Sequence, residues 1–219
     1  MNFKNPIILG SKSPRRRQLL KLITSDFQAE SIEVEEDFSM ELPCSQVASY
    51  LAEKKANAYK KVFKNRIIIT SDTTVILDET ILGKPESFED GIEMLKSLSG
   101  RVHKVNTAVN ITYGDKNQTL SQFTTVHFPS LSNETITDYM KRFNPVDKAG
   151  AYGIQECVGN ASDLYALKER EFLNSGKYKL LNEQHRLAPS FIIEKIEGSF
   201  FNVVGLPIVE VAKALKGYT

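Results

Sequence analysis

The chain has no tryptophan, only two cysteines and only three histidines among its 219 residues. Cys44 and Cys157 cannot supply a disulfide framework or a thiolate zinc cluster. His103, His127 and His185 are far apart and lack the spacing of metal ligands. Long apolar runs are missing, so no transmembrane span is expected. The opening stretch, Met1-Asn2-Phe3-Lys4-Asn5-Pro6, lacks the apolar core of a secretory signal. An excess of one charge is missing too. With 28 basic and 27 acidic residues the net charge is +1, which argues against a broad nucleic-acid surface or an electrostatic grip on membranes. These absences leave a soluble protein of a reducing compartment.

What is present is ordinary globular material, 41% hydrophobic and 25% charged. The length suits one large domain, or one domain in two lobes. Ile7 to Leu9 reads as a buried strand ending at Gly10. Ser13-Pro14 supplies an N-cap and a first-turn proline for a helix over about 14–24, with Leu19, Leu20 and Ile23 as its stripe. A strand follows over about 27–34, then a helix over about 45–64 with the stripe Val47, Leu51, Ala58 and Val62. Arg66 to Leu77 is a strand with an apolar core, and about 87–98 is a helix stopped by Gly100. Val102–Tyr113 and Thr119–Phe128 form a long hairpin across residues 114–117. A short helix is expected at about 135–143, a hairpin over about 192–204 turning near Gly198, and a helix after Pro207. This mixture predicts an α/β or α+β fold with a mixed sheet. Residues 160–190 are polar and mixed in charge, either helical around 163–173 or partly disordered.

Five short stretches carry chemistry. Ser13-Pro14-Arg15-Arg16-Arg17 places cations where a helix start is already electropositive. Either an anion such as phosphate compensates them, or they form a solvated basic face. Lys55 falls on the apolar stripe of its helix, so it either snorkels or faces a polar cleft. Ile67-Ile68-Ile69 runs into Asp72, a carboxylate suited to a divalent cation or to activating water, or else to a turn. Gly83-Lys84-Pro85 fixes a lysine at a turn and is not a Walker A loop. In Asp147–Gln155, small residues surround Tyr152, and Gln155 offers the donor and acceptor that suit a nucleobase edge. Together these point to nucleotide chemistry.

The same stretches resemble the Maf family of nucleoside triphosphate pyrophosphatases. The resemblance rests on Leu9–Arg16, Ser71–Val75, Leu82–Pro85, Met94–His103, Asp147–Gln155 and Asn202–Pro207, in the family's order along nearly the whole chain. It implies an α/β fold of two lobes around an extended mixed sheet with a central cleft, similar to inosine triphosphate pyrophosphatase. It implies a single domain over residues 1–219 with an insertion at about 160–189. The implied reaction cuts between the α and β phosphates, giving a nucleoside monophosphate and pyrophosphate with Mg²⁺ or Mn²⁺. The family is mostly cytoplasmic and often homodimeric, with proposed roles in cleansing nucleotide pools and in arrest of cell division. Nucleic acid and membrane partners are not implied.

Carried over by motif, Ser13, Arg15 and Arg16 stand on the phosphate side. Lys55 and Lys84 match two cleft lysines, and Asp72 matches the family's proton acceptor. Glu36, or its neighbour Glu35, matches the acidic residue that would hold metal with Asp72. Arg15, Thr73 and Gln155 match positions tied to substrate choice and look like the dTTP/UTP subgroup. The 7-methyl-GTP subgroup tends to carry Trp after the proline and Gln after the aspartate, where this chain has Arg15 and Thr73. Alternatives are a nucleotide-sensing regulator of cell division that binds without turnover, or a pyrophosphatase for a modified nucleotide such as 7-methyl-GTP. Gly10 and Ser71 stand where alanine is frequent in the family.

Overall fold

Residues 3, 5–157, 166–174 and 192–219 are described by a computed structural model, and their strands form one mixed sheet. β1 (Ile7–Gly10) runs parallel to β2 (Phe27–Glu30) on one side and to β3 (Ile67–Leu77) on the other. Parallel neighbours need crossovers. Here these contain α1 (Pro14–Lys21) and α2 (Cys44–Val62). β3 then pairs antiparallel with β5 (Val102–Tyr113), and β5 with β6 (Lys116–His127). β7 (Lys195–Glu197) closes the order β2-β1-β3-β5-β6-β7, and β4 (Thr80–Leu82) pairs with β3 off that path. The expected α/β class with a mixed sheet is the observed one.

Both faces of β1 and of the Ile67–Ile69 stretch of β3 are covered, which explains why Ile7–Leu9 and Ile67–Ile69 are apolar throughout. Ile7, Leu9, Ile67 and Ile69 face the main core. On that side pack α1, α3 (Phe88–Leu98), α4 (Asn133–Phe143), α6 (Phe200–Val204) and α7 (Ile208–Leu215). Ile8 and Ile68 face the other way, against Tyr59 of α2. Serine side chains cap four of these helices. Ser13, Ser87, Ser132 and Ser199 each accept a backbone N–H of the first turn.

α2 lies close on the sheet through small residues, with Ala48 and Ala52 against Ala108. Its buried face is turned further toward Ala52, Ala56 and Tyr59 than the stripe Val47-Leu51-Ala58-Val62 suggests, and Val62 is 62% exposed. Gly10 makes room for this helix. A Cβ there would stand 2.8 Å from Cζ of Tyr59 and 2.9 Å from Cγ2 of Thr70. Tyr59 in turn donates to the Glu30 carbonyl at 3.0 Å and accepts the Ile32 amide at 2.8 Å. It thereby ties the end of β2 to α2, and β2 stops at Glu30 rather than near residue 34.

Two other elements differ from the sequence reading. The central hairpin is tighter than expected, because β6 already starts at Lys116 after the turn at Gly114-Asp115. Gly198 turns no hairpin. The chain passes from β7 through Gly198 (φ 132°) into α6, which ends at Gly205 (φ 122°). Ser199 as N-cap decides for helix, and the Phe200-Phe201 pair then packs into the main core.

Within the excursion, Leu167–Asn174 form α5, the helical one of the two alternatives read there, and apart from these residues and Ala166 the rest of residues 160–189 lies outside the described residues. Its Glu169 is buried and caps the start of α6. The carboxylate accepts the Ser199 hydroxyl and the amides of Phe200 and Phe201, both at 3.2 Å. It also accepts the Ala166 amide at 2.9 Å.

Candidate functional site

The site follows from a gap along one edge of β3. β1 pairs with β3 only as far as Thr70, and β4 takes up the same edge only from Val75. Ser71–Thr74 therefore have β5 on one side and open space on the other. Side chains alternate across a strand. Asp72 thus faces the α2 side and Thr73 the main-core side, yet both reach the opening. A cleft of about 910 Å³ occupies it.

On the α2 side, Lys55 reaches the cleft from the buried face of its helix, only 14% exposed. Its ammonium lies between two carboxylates, 2.6 Å from Glu36 Oε1 and in direct contact with Asp72 Oδ2. Asp72 Oδ1 accepts the Thr73 amide at 2.9 Å. Asp72 thus lies inside a continuous strand, beyond the end of its parallel neighbour, and its charge is compensated. Burial pushes the Glu36 carboxyl up, but the Lys55 ammonium, with Lys84 and Arg16 nearby, brings it below its ordinary range. Glu36 lines the cleft, and its exposed neighbour Glu35 does not.

On the other face, Arg16 donates from Nε to the Gly205 carbonyl and from Nη2 to Thr73 Oγ1, both at 2.9 Å. Burial lowers its pKa, and Asp72 opposes that shift. Thr73 Oγ1 also lies 2.9 Å from Thr107 Oγ1, which donates to the Asn202 carbonyl at 2.7 Å. Arg16 is thereby held by β3, β5 and the end of α6. Ser13 is spent on capping α1, accepting the Arg16 amide at 3.4 Å, and lines the cleft. Arg17 points away and is exposed.

The cleft's far wall is the segment from Asp147 to Gln155. Arg15 Nη1 crosses to Asp147 Oδ2 at 3.0 Å, and Lys148 holds Asp147 Oδ1 at 2.7 Å. Lys84 is exposed at the rim and pairs with no carboxylate among the described residues. A Cβ at Gly83 would meet nothing, so protein packing does not require that glycine. Gln155 sits in a short 3-10 turn, with its Nε2 3.4 Å from Glu156 Oε1.

The structure therefore gathers Ser13, Arg15, Arg16, Glu36, Lys55, Asp72, Thr73, Lys84 and Gln155 around one cleft. Reading the sequence missed Lys148, Glu156 and the Gly205 carbonyl. The first two were visible as charges flanking a glycine-rich block. A backbone carbonyl leaves no signal in sequence.

The donor set also bears on a metal. Among the described residues no three His, Cys, Asp or Glu side chains cluster as a cation site. Two hard oxygen donors, Glu36 and Asp72, do converge, on Lys55. That set fits Mg²⁺ or Mn²⁺, which take one or two carboxylates and fill the remaining positions with water and substrate phosphate. Among the described residues no helix is long and apolar enough to cross a membrane.

Residues 6–162 match the family model described as Maf-like protein. A Porphyromonas gingivalis protein named dTTP/UTP pyrophosphatase is 36% identical over 219 residues, covering 98% of this chain and 95% of that one. A Thermosipho africanus protein of the same name is 40% identical over 205 residues, covering 94% and 89%. Among solved structures, the Staphylococcus aureus Ham1 protein superposes with a TM-score of 0.44 at 17% identity, covering 57% of this chain and 72% of that one.

Proposed function

The chain belongs to the Maf-like family, and from that premise we propose that it hydrolyses nucleoside triphosphates, dTTP and UTP first among them, to nucleoside monophosphate and pyrophosphate. The observation that carries this reading is Lys55 bridging Glu36 and Asp72 at the open edge of β3, opposite Arg15, Arg16 and Lys84. Relatives named dTTP/UTP pyrophosphatase that align over nearly the full length support it. They favour it over a regulator without turnover and over 7-methyl-GTP specificity.

Arg15, Arg16 and Lys84 hold the triphosphate. Arg16 is aimed before substrate arrives, because the Gly205 carbonyl and Thr73 fix its guanidinium. Such preorganised charge needs no rearrangement as the transition state forms. Arg15 leaves Asp147 to engage phosphate, and the lost pair is partly exposed and weak. Asp72 accepts the proton of the attacking water as the α–β anhydride bond breaks and pyrophosphate departs with the bridging oxygen. Lys55 stabilises the negative charge that develops there.

A divalent cation would be held by Glu36 and Asp72, and would supply charge neutralisation at the phosphates. Lys55 keeps those two carboxylates together until then. The same reading treats residues 1–219 as one domain carrying an insertion at about 160–189. Pyrophosphate release across a panel of nucleotides with Mg²⁺ tests the proposal. Turnover of dTTP and UTP is expected, and binding without turnover overturns it.

A further inference from the structure

Glu156 is a charged group next to the cleft for which the scheme above has no use. Both of its oxygens are engaged. Oε2 accepts the hydroxyl of the buried Tyr139, in α4, at 2.8 Å. That hydroxyl accepts the Gly153 amide at 2.9 Å. Oε1 lies 3.2 Å from the ammonium of Lys148, whose side chain is 11% exposed. The same Oε1 faces Nε2 of Gln155 at 3.4 Å.

An ionised carboxylate only accepts hydrogen bonds, so the Gln155 carboxamide can meet it only through its NH₂ end. Gly153 leaves room for that arrangement, since a Cβ there would stand 2.7 Å from Gln155 Nε2. With the NH₂ turned to Glu156, the other end of the amide is a carbonyl oxygen, an acceptor, on a residue that lines the cleft. Thymine and uracil present an N3–H donor between two carbonyls. Cytosine presents a lone pair at N3.

We infer that Glu156 is a positioning residue, which fixes the Gln155 carboxamide as an acceptor for the N3–H of thymine or uracil and so selects against cytosine. Tyr139 and Lys148 hold Glu156 for that purpose. The inference rests on the pyrophosphatase reading and deepens it.

The test measures kcat/KM for UTP, CTP and N3-methyl-UTP with the wild-type protein and with Glu156→Gln. The wild type should favour UTP over both others by roughly tenfold or more, because each places an acceptor or a methyl group where a donor is needed. A neutral glutamine at 156 can offer either end of its own amide, so Gln155 is free to turn. The UTP-to-CTP ratio should then fall by roughly tenfold. A general loss of fold would lower both rates and leave the ratio unchanged. Equal cleavage of UTP and N3-methyl-UTP by the wild type overturns the inference even if the variant does not fold. So does a folded variant that keeps the wild-type ratio. Failure to cleave either dTTP or UTP is a different result, which sinks the pyrophosphatase reading and this inference with it.

Discussion

His103 should make the fold sensitive to mild acid. Its ring is 2% exposed, with edge-on contacts to Phe128 at 5.0 Å and Tyr152 at 5.5 Å between centroids. Nε2 lies 2.8 Å from the Tyr152 hydroxyl, and Nδ1 has no hydrogen-bond partner among the described residues. An imidazolium there would bury a charge with one donor unmet. Burial, helped by His127, lowers the pKa from 6.5 to about 4. The unfolded chain therefore binds the proton first, and stability contributed by neutral His103 is present above pH 6.5 and lost as pH falls toward 4. Between about pH 7 and about pH 4.5 the loss from this group is about 2 kcal/mol. His103→Gln keeps a partner for Tyr152 and removes the titration. Urea denaturation at both pH values should show wild type losing about 2 kcal/mol more than the variant. Equal losses would refute the buried neutral imidazole.

Two further outcomes test the scaffold. Glu169→Ala strips buried partners from Ser199, Phe200 and Phe201, and should cost about 1–3 kcal/mol in urea denaturation. Because α6 ends at Gly205, whose carbonyl holds Arg16, KM for the triphosphate should rise as well. Gly10→Ala drives a methyl group into the Tyr59 ring, and should cost about 1–3 kcal/mol by the same measurement.

The elements that could be read from sequence were those with a strong local signal. The β-branched residues of Val102–Tyr113 and the serine cap and first-turn proline of α1 needed no tertiary information. Lys55 showed itself as a charge on an apolar stripe. Asp72 was visible as a candidate, but its setting was not. The gap beside it arises from where β1 stops and β4 starts, which is a property of pairing rather than of β3 itself. Gly198 resembled a hairpin turn because a glycine between two apolar runs has that meaning locally. A buried carboxylate from α5, distant in sequence, stabilises the helical alternative. The Tyr139–Glu156–Gln155 network likewise joins α4 to a 3-10 turn by contacts with no periodicity to betray them.

The proposed mechanism makes Asp72, beside Lys55 and Glu36, the acceptor of the proton during cleavage of the α–β anhydride. Its most direct test is pyrophosphate release from dTTP and UTP by Asp72→Asn, with folding checked by thermal melting. A folded variant that has lost roughly 10²- to 10⁴-fold in kcat is expected. A folded Asp72→Asn protein releasing pyrophosphate at the wild-type rate would contradict that mechanism.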